Sequence, residues 1–387
     1  MKGVFWKLAT LAVVAALSAC GSGGSQGPGS ATGITSVKVM GDSLSDSGTF
    51  AGVPGYGRIF SVQGSSAEPN VGWTERVNAN LGLAQLCSFF RFTGTSFNST
   101  PGCTSFAVGG GRINAVTQTG GQQGPFSVVY QLQTAAMVNG EYVASDLLLL
   151  DGGANDAADL VGAYLATAKD GGASYQALLL SLLPAATVEQ LLGQGSTGLA
   201  QAGGAYMIAL ADLFYNTLKT QALDKGAQHV AVLNIPAITL TPRLQMALGG
   251  VAAAQGEAVA EQTKTLFDSW VKAFNAQLVQ NVGSDKRIVL VDFYTSFVNQ
   301  WNSPAQYGLS NMTVPVCPAT GVGADGLPTY TFETCTAQAL SANPPEGSLA
   351  PDWWQTYAFA DSFHPTPYGY QLMSQMVSEA LAKAGWF

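Results

Sequence analysis

The sequence predicts an α/β protein in which helices cover both faces of a parallel sheet, a three-layer α/β/α sandwich. Two observations lead there. Four short runs, SVKVMG (36–41), DLLLLDGG (146–153), HVAVLNIP (229–236) and RIVLVDF (287–293), have strand length and are almost continuously apolar, as strands buried on both faces are. Longer stretches with helical spacing separate them, and strand alternating with helix is the pattern of a parallel sheet with crossover connections.

In chain order, the first run opens the folded region near Ser36 and ends in the polar turn GDSLSDSG. After the second run, AYMIALADLFYNTLKTQALDKG (205–226) reads as a helix closed by Lys225 and Gly226, a basic last turn followed by a glycine stop. A second long helix is expected from Glu257 to Asn281, and a last one from Pro367 to Ala384. Residues 157–200 and 296–360 depart from the alternation and read as insertions near a site, either a lid or elaborations packed on the core.

Of the 387 residues, 47% are hydrophobic and only 10% charged, with a formal net charge of −8. That supplies ample core and argues against a surface that neutralises phosphates, so nucleic acid is not an expected partner.

The N-terminus, MKGVFWKLATLAVVAALSAC, has two lysines before an apolar run from Leu8 to Ala19 that is too short to span a bilayer. Residues 1–19 are expected to be an export signal. The ending LSAC resembles the bacterial lipobox, which implies lipidation of Cys20, a membrane anchor through that lipid, and a place at the outer membrane or cell surface. Gly21 stands where an aspartate is associated with inner-membrane retention. Residues 20–35 have the Gly/Ser composition of a flexible tether, leaving 36–387 as one domain.

Cys20 apart, four cysteines remain in a chain that reads as exported, which points to two disulfides. The local pairings, Cys87 with Cys103 and Cys317 with Cys335, each close a short loop. No C-x-x-C occurs and neither histidine is near a cysteine in sequence, so no metal site is expected.

In an open parallel sheet, reactive residues gather at the carboxyl ends of strands, and Ser43 follows the first one. A serine in such a turn is often only a helix cap. A serine nucleophile needs a base, and the chain has two histidines. His364, in ADSFHPT, stands three residues after Asp361, close enough for the carboxylate to fix its tautomer. His229 starts a predicted strand with no acid nearby and reads as structural. FAVGGGRI (106–113), expected to follow a short strand, and Asn155 in GGANDAA offer donors for a developing oxyanion.

Together GDSLSD, AVGGG, GAND and DSFHPT, in this order from 39 to 369, resemble the blocks of the GDSL, or SGNH, hydrolase family. The resemblance implies a flavodoxin-like fold and a serine esterase or lipase that needs no cofactor and acts on an acyl ester or lipid. Ser43 would be the nucleophile, His364 the base and Asp361 its orienting acid. The Ser43 N–H, the Gly110 N–H and the Asn155 side chain would form the oxyanion hole, with Gly109 the alternative to Gly110. Other substrate and functional classes compatible with the blocks are acetylated carbohydrate and a non-catalytic surface lipoprotein that binds glycan or lipid. Trp301, Tyr307, Trp353, Trp354 and Tyr357 are candidates to line an acyl pocket. GGSQG (23–27) matches G-x-S-x-G without a strand before it, and GVGADG (321–326) matches G-x-G-x-x-G inside a proline-rich segment; neither has the context its chemistry requires.

Overall fold

The four apolar runs form one parallel sheet in the computed structural model, which describes residues 33–347 and 350–387. The strands β1 (Ser36–Met40), β2 (Asp146–Leu150), β3 (His229–Leu233) and β4 (Ile288–Val291) lie side by side in that order. Because side chains alternate along a strand, Val39, Leu147, Leu149 and Leu233 enter one core and Met40, Leu148, Leu150 and Val232 the other. Helices Trp73–Asn80, Phe293–Asn302 and Pro367–Lys383 cover the first face; Val128–Asn139, Ala154–Asp170, Gly195–Gln221 and Glu257–Val282 cover the second. The fold is the expected three-layer sandwich.

The sheet has one further neighbour. Residues 104–106 run along the outer side of β1, with Val39 N donating to Thr104 O at 3.0 Å and Phe106 N to Val39 O at 2.7 Å. The short strand expected before the glycine run is thus reduced to a bridge at Ser105. Counting it, the second segment in the chain lies outside the first and the later strands follow on the other side. That reversal of order makes a switch point, and open parallel sheets bind ligands in the crevice at its carboxyl end.

Of the two readings of 157–200, packing on the core is the one the structure shows: helices Ala154–Asp170, Ala173–Leu180 and Ala185–Leu192 bury Leu160, Val161, Leu179 and Val188 in the second core. One boundary changes. The helix expected from 205 begins at Gly195, because its glycines serve packing. A Cβ at Gly203 would stand 2.3 Å from the Trp270 ring of helix Glu257–Val282.

Both local disulfides, Cys87–Cys103 and Cys317–Cys335, are formed. The second gathers Val316, Phe332, Leu340 and Trp354 into a third cluster that also holds Val62, so much of the 296–360 segment packs around a small core of its own. Among the described residues no helix is long and apolar enough to cross a membrane. The bridges span 16 and 18 residues. At those loop lengths, replacing either pair by serine is expected to cost about 3 kcal/mol in urea unfolding; an unchanged midpoint would show that the bridge contributes nothing to the fold.

Candidate active site

Ser43 stands at the crevice because the chain turns sharply after β1. Asp42 Oδ1 accepts the Leu44 N–H at 2.9 Å, and the Asp42 carbonyl accepts the N–H groups of Ser45 and Asp46 at 3.1 and 3.0 Å. The serine is 4% exposed. From the far end of the sequence, the turn before helix Pro367–Lys383 closes through Ala360 N to His364 O at 2.8 Å, and Thr366 caps the helix. Within that turn Asp361 Oδ1 accepts the N–H groups of Phe363 and His364 at 2.7 and 2.6 Å, while Oδ2 lies 2.8 Å from His364 Nδ1. His364 Nε2 is 2.7 Å from Ser43 Oγ. Burial alone would raise the Asp361 carboxyl; the charge of His364 and the bonds from its turn hold it below the usual carboxylate range. An ionised Asp361 on Nδ1 fixes the tautomer whose Nε2 accepts from a hydroxyl.

The glycine turn faces the same crevice. The Gly109 N–H donates to Asp46 Oδ2 at 2.8 Å, so it is already engaged. Gly110, at φ 77°, takes the left-handed conformation glycine favours, and its N–H makes no hydrogen bond among the described residues. The Asn155 amide spends one hydrogen on Gly111 O at 3.0 Å, which orients the group and leaves its second hydrogen. The two glycines that the sequence left open therefore differ in availability.

The sequence profile of the GDSL-like lipase/acylhydrolases matches residues 37–377. The chain belongs to that family. A GDSL esterase/lipase of Arabidopsis thaliana, EXL2, is similar to it at 27% identity over 157 residues, 39% of this chain and 35% of the plant protein. The chain thus matches about a third of that relative's length, and the shared part is short of a whole-protein correspondence.

For a GDSL-family site, the chemistry open to this arrangement is acyl transfer: a hydroxyl held by an imidazole whose other nitrogen is held by a carboxylate, beside unpaired donors. Two acids that the sequence reading quoted but gave no role hold the donors in place. Asp46 accepts the N–H groups of Gly48, Thr49 and Gly109, tying the serine turn to the glycine turn. Asp156 accepts those of Ile113 and Asn114, tying the glycine turn to the helix that carries Asn155. Burial pushes both carboxyls up to about 6 against the pull of these bonds. Their only sequence signal was position, one in each of two blocks, among glycines with N–H groups to satisfy.

A narrow cavity of about 50 Å³ opens beside Ser43 and His364, walled by Ile238, Phe297, Leu309, Phe359, Phe363 and Met373. The five aromatic residues expected there are elsewhere. Trp354 belongs to the disulfide cluster, Trp353 donates to Leu340 O and meets Tyr357 edge-on, and Trp301 and Tyr307 pack on the first core. The segment folds around its own bridge and sends Phe332 instead, 5.7 Å from the His364 ring and beside Phe60, which is 5.3 Å from that ring. His229, read as structural, begins β3 at the opposite end of the sheet against Trp386. GVGADG belongs to the ribbon Gly321–Val322 with Pro328–Thr329. The leader 1–19, Cys20, GGSQG and the expected tether up to residue 32 lie outside the described residues; the last residues assigned to the tether belong to the fold instead, with Ile34 buried in the first core and Thr35 N donating to Ser145 O at 2.9 Å.

Replacing Asp46 by alanine would strip three backbone donors of their acceptor at once. The expected cost is on the order of 3 kcal/mol or more, read by urea unfolding, together with a fall in kcat because the glycine turn loses its tie. A variant as stable and active as the parent would show that the N–H groups find other partners.

Proposed function

We propose that this GDSL-family hydrolase is a serine esterase that works through an acyl-enzyme. The observation that carries the reading is the unbroken relay from Ser43 Oγ to His364 at 2.7 Å and from His364 to Asp361 at 2.8 Å. His364 takes the Ser43 proton as the hydroxyl attacks the ester carbonyl and returns it to the leaving alcohol; water then repeats the cycle on the acyl group. The Ser43 and Gly110 N–H groups and the Asn155 amide receive the oxyanion. Gly110 is preferred to Gly109, whose N–H is engaged by Asp46.

The acyl group would enter the cavity of about 50 Å³. Ile238, Phe297, Leu309, Phe359 and Met373 in its walls are buried core side chains, so a long acyl chain could enter only by displacing them. Short acyl esters are therefore the preferred substrates. A second reading, an acetyl ester of carbohydrate, draws on the same cavity together with the half-buried rings of Phe92, Phe97 and Phe126 near Gly110. We further propose export and anchoring at the outer membrane or cell surface through a lipid on Cys20, supported by the leader, the LSAC ending and two disulfides that suit an oxidising compartment. Cys20→Ala should release the protein from the membrane fraction; retention there would refute the lipid anchor.

Ser43→Ala and His364→Ala should each abolish most turnover of p-nitrophenyl esters, and the double variant should be little worse. Asp361→Asn is expected to lower kcat by about 10³ to 10⁴, and Asn155→Ala by about 10² to 10³ with KM nearly unchanged. Near-parental turnover by Ser43→Ala, or no labelling of Ser43 by a fluorophosphonate, would leave the non-catalytic binding protein as the better reading. Across a panel from acetate to palmitate, kcat/KM should peak at butyrate or below; a maximum at palmitate would refute the cavity argument, and faster release of acetate from acetylated sugars than from p-nitrophenyl acetate would favour the carbohydrate reading.

A further inference from the structure

One buried acid at the crevice has no role in the relay or in the N–H ties. Asp151 directly follows β2, where Met40 pairs with Leu150, and so lies level with Gly41. Its Oδ1 accepts the Ser45 hydroxyl at 2.5 Å. Its carboxyl fills the space above Gly41 so closely that a Cβ there would stand 1.7 Å from Oδ1. Oδ2 is buried without a hydrogen-bond donor. The Asp151 carboxyl lies beside the side chain of Asp42, and the two residues are 3% and 2% exposed.

Two ionised carboxylates cannot share such a place without a cation, since each would lose its hydration and face a like charge. Among the described residues, the cations whose charge reaches Asp42 are Arg112 and His364, and both are paired with other carboxylates. Arg112, on the glycine turn, gives Nε and Nη2 to Asp159 at 2.5 and 2.9 Å and Nη1 to the Gly110 carbonyl. His364 is engaged by Asp361. The remaining titratable neighbours are Asp46 on the serine turn, which holds three N–H groups, and Tyr370 on the last helix, whose hydroxyl is shared between Ser43 O and Phe60 O at 3.3 and 3.2 Å. A carboxyl oxygen with no donor, facing another carboxylate, is satisfied if it carries the proton itself.

We propose that Asp151 stands as a neutral acid whose O–H donates to the Asp42 carboxylate, and that this pair is a positioning device for the Ser43 turn. One proton serves two carboxyls. Asp42 then accepts from Leu44 N as well as from Asp151, and Asp151 Oδ1 accepts from Ser45, so the residues that follow Ser43 are fixed from below by a unit of single negative charge. Burial, and next the charge of Asp42, push Asp151 well above the ordinary carboxyl range, while Asp42 is raised by burial against its backbone bond. Only the catalytic consequence rests on Ser43 being the nucleophile.

The test uses Asp151→Asn, which keeps a donor toward Asp42 and an acceptor for Ser45 but cannot ionise, and Asp151→Leu, which keeps neither. Infrared difference spectra of wild type minus Asp151→Asn at pH 7 should contain the carbonyl band of a protonated carboxylic acid; its absence overturns the proposal. An acid whose folded value lies above its unfolded one, here 3.8, contributes stability that is complete below the unfolded value and lost as pH rises through the folded one. The unfolding midpoint of Asp151→Asn should therefore gain on wild type as pH rises, and a constant difference from pH 5 to 9 overturns the shared proton. Asp151→Leu should lower kcat on the order of 10²-fold with KM little changed, and Asp151→Asn should restore it to within about threefold of wild type. Equal losses in the two variants overturn the positioning role, whereas unchanged kcat in both, with the infrared band present, would fault the Ser43 assignment and leave the proton pair standing.

Discussion

Where parallel strands end, the loops that leave them carry backbone N–H groups no ladder can satisfy, and at a buried edge each must still find an acceptor. In this chain aspartates supply them. Asp42 takes the N–H of Leu44, Asp46 those of Gly48, Thr49 and Gly109, Asp156 those of Ile113 and Asn114, and Asp361 those of Phe363 and His364. Each carboxylate stitches a turn to itself or to its neighbour, and the longest of these ties joins residues 63 apart in sequence. The crevice keeps its shape because these acceptors are short, charged and buried.

That solution concentrates negative charge where solvation is poorest. The chain contains few charged residues, yet Asp42, Asp46, Asp151, Asp156 and Asp361 are all buried around one strand edge. Hydrogen bonds to the ionised form, a histidine partner or a retained proton are the three means of tolerating a buried carboxyl. Asp46 and Asp156 rely mainly on the first, and Asp361 combines it with the second. Rigid donors follow from the same arrangement, since a turn whose N–H groups are pinned by a carboxylate cannot reorganise freely when charge develops beside it.

The sheet and the three residues of the relay were legible in the sequence because each has a local signal. Buried parallel strands are apolar runs, and a chain with two histidines leaves few partners for Ser43. What stayed hidden depends on contacts between distant segments. The helix read from 205 begins ten residues earlier, because Trp270 fills the space a Cβ at Gly203 would need. A short strand was expected before the glycine run, but nothing local says that residues 104–106 form only bridges at Ser105 beside β1. The aromatic residues of the 296–360 segment were read as an acyl-pocket lining, and no local pattern says that Trp354 turns to a disulfide core while Phe332 reaches the histidine. Asp46 and Asp156 were in view without a role, because a carboxylate's partners here are backbone groups, and backbone groups carry no residue identity.

The glycines of the site divide on the same physical ground. Gly110 takes a conformation that a side chain resists. Gly41, Gly109 and Gly111 take ordinary ones, and what requires glycine there is room: a Cβ would meet Asp151 Oδ1 at 1.7 Å, the Phe60 ring at 2.1 Å and the Gly41 carbonyl at 2.8 Å respectively. The serine turn, the glycine turn and the end of β2 therefore approach one another backbone to backbone. Such closeness lets one aspartate on each segment reach N–H groups on the next, so glycine content and buried acid content at this edge are two sides of a single requirement. Enlarging any of these glycines would separate the segments and leave the carboxylates without their donors, which makes the motif's small residues as much a part of the electrostatics as its charged ones.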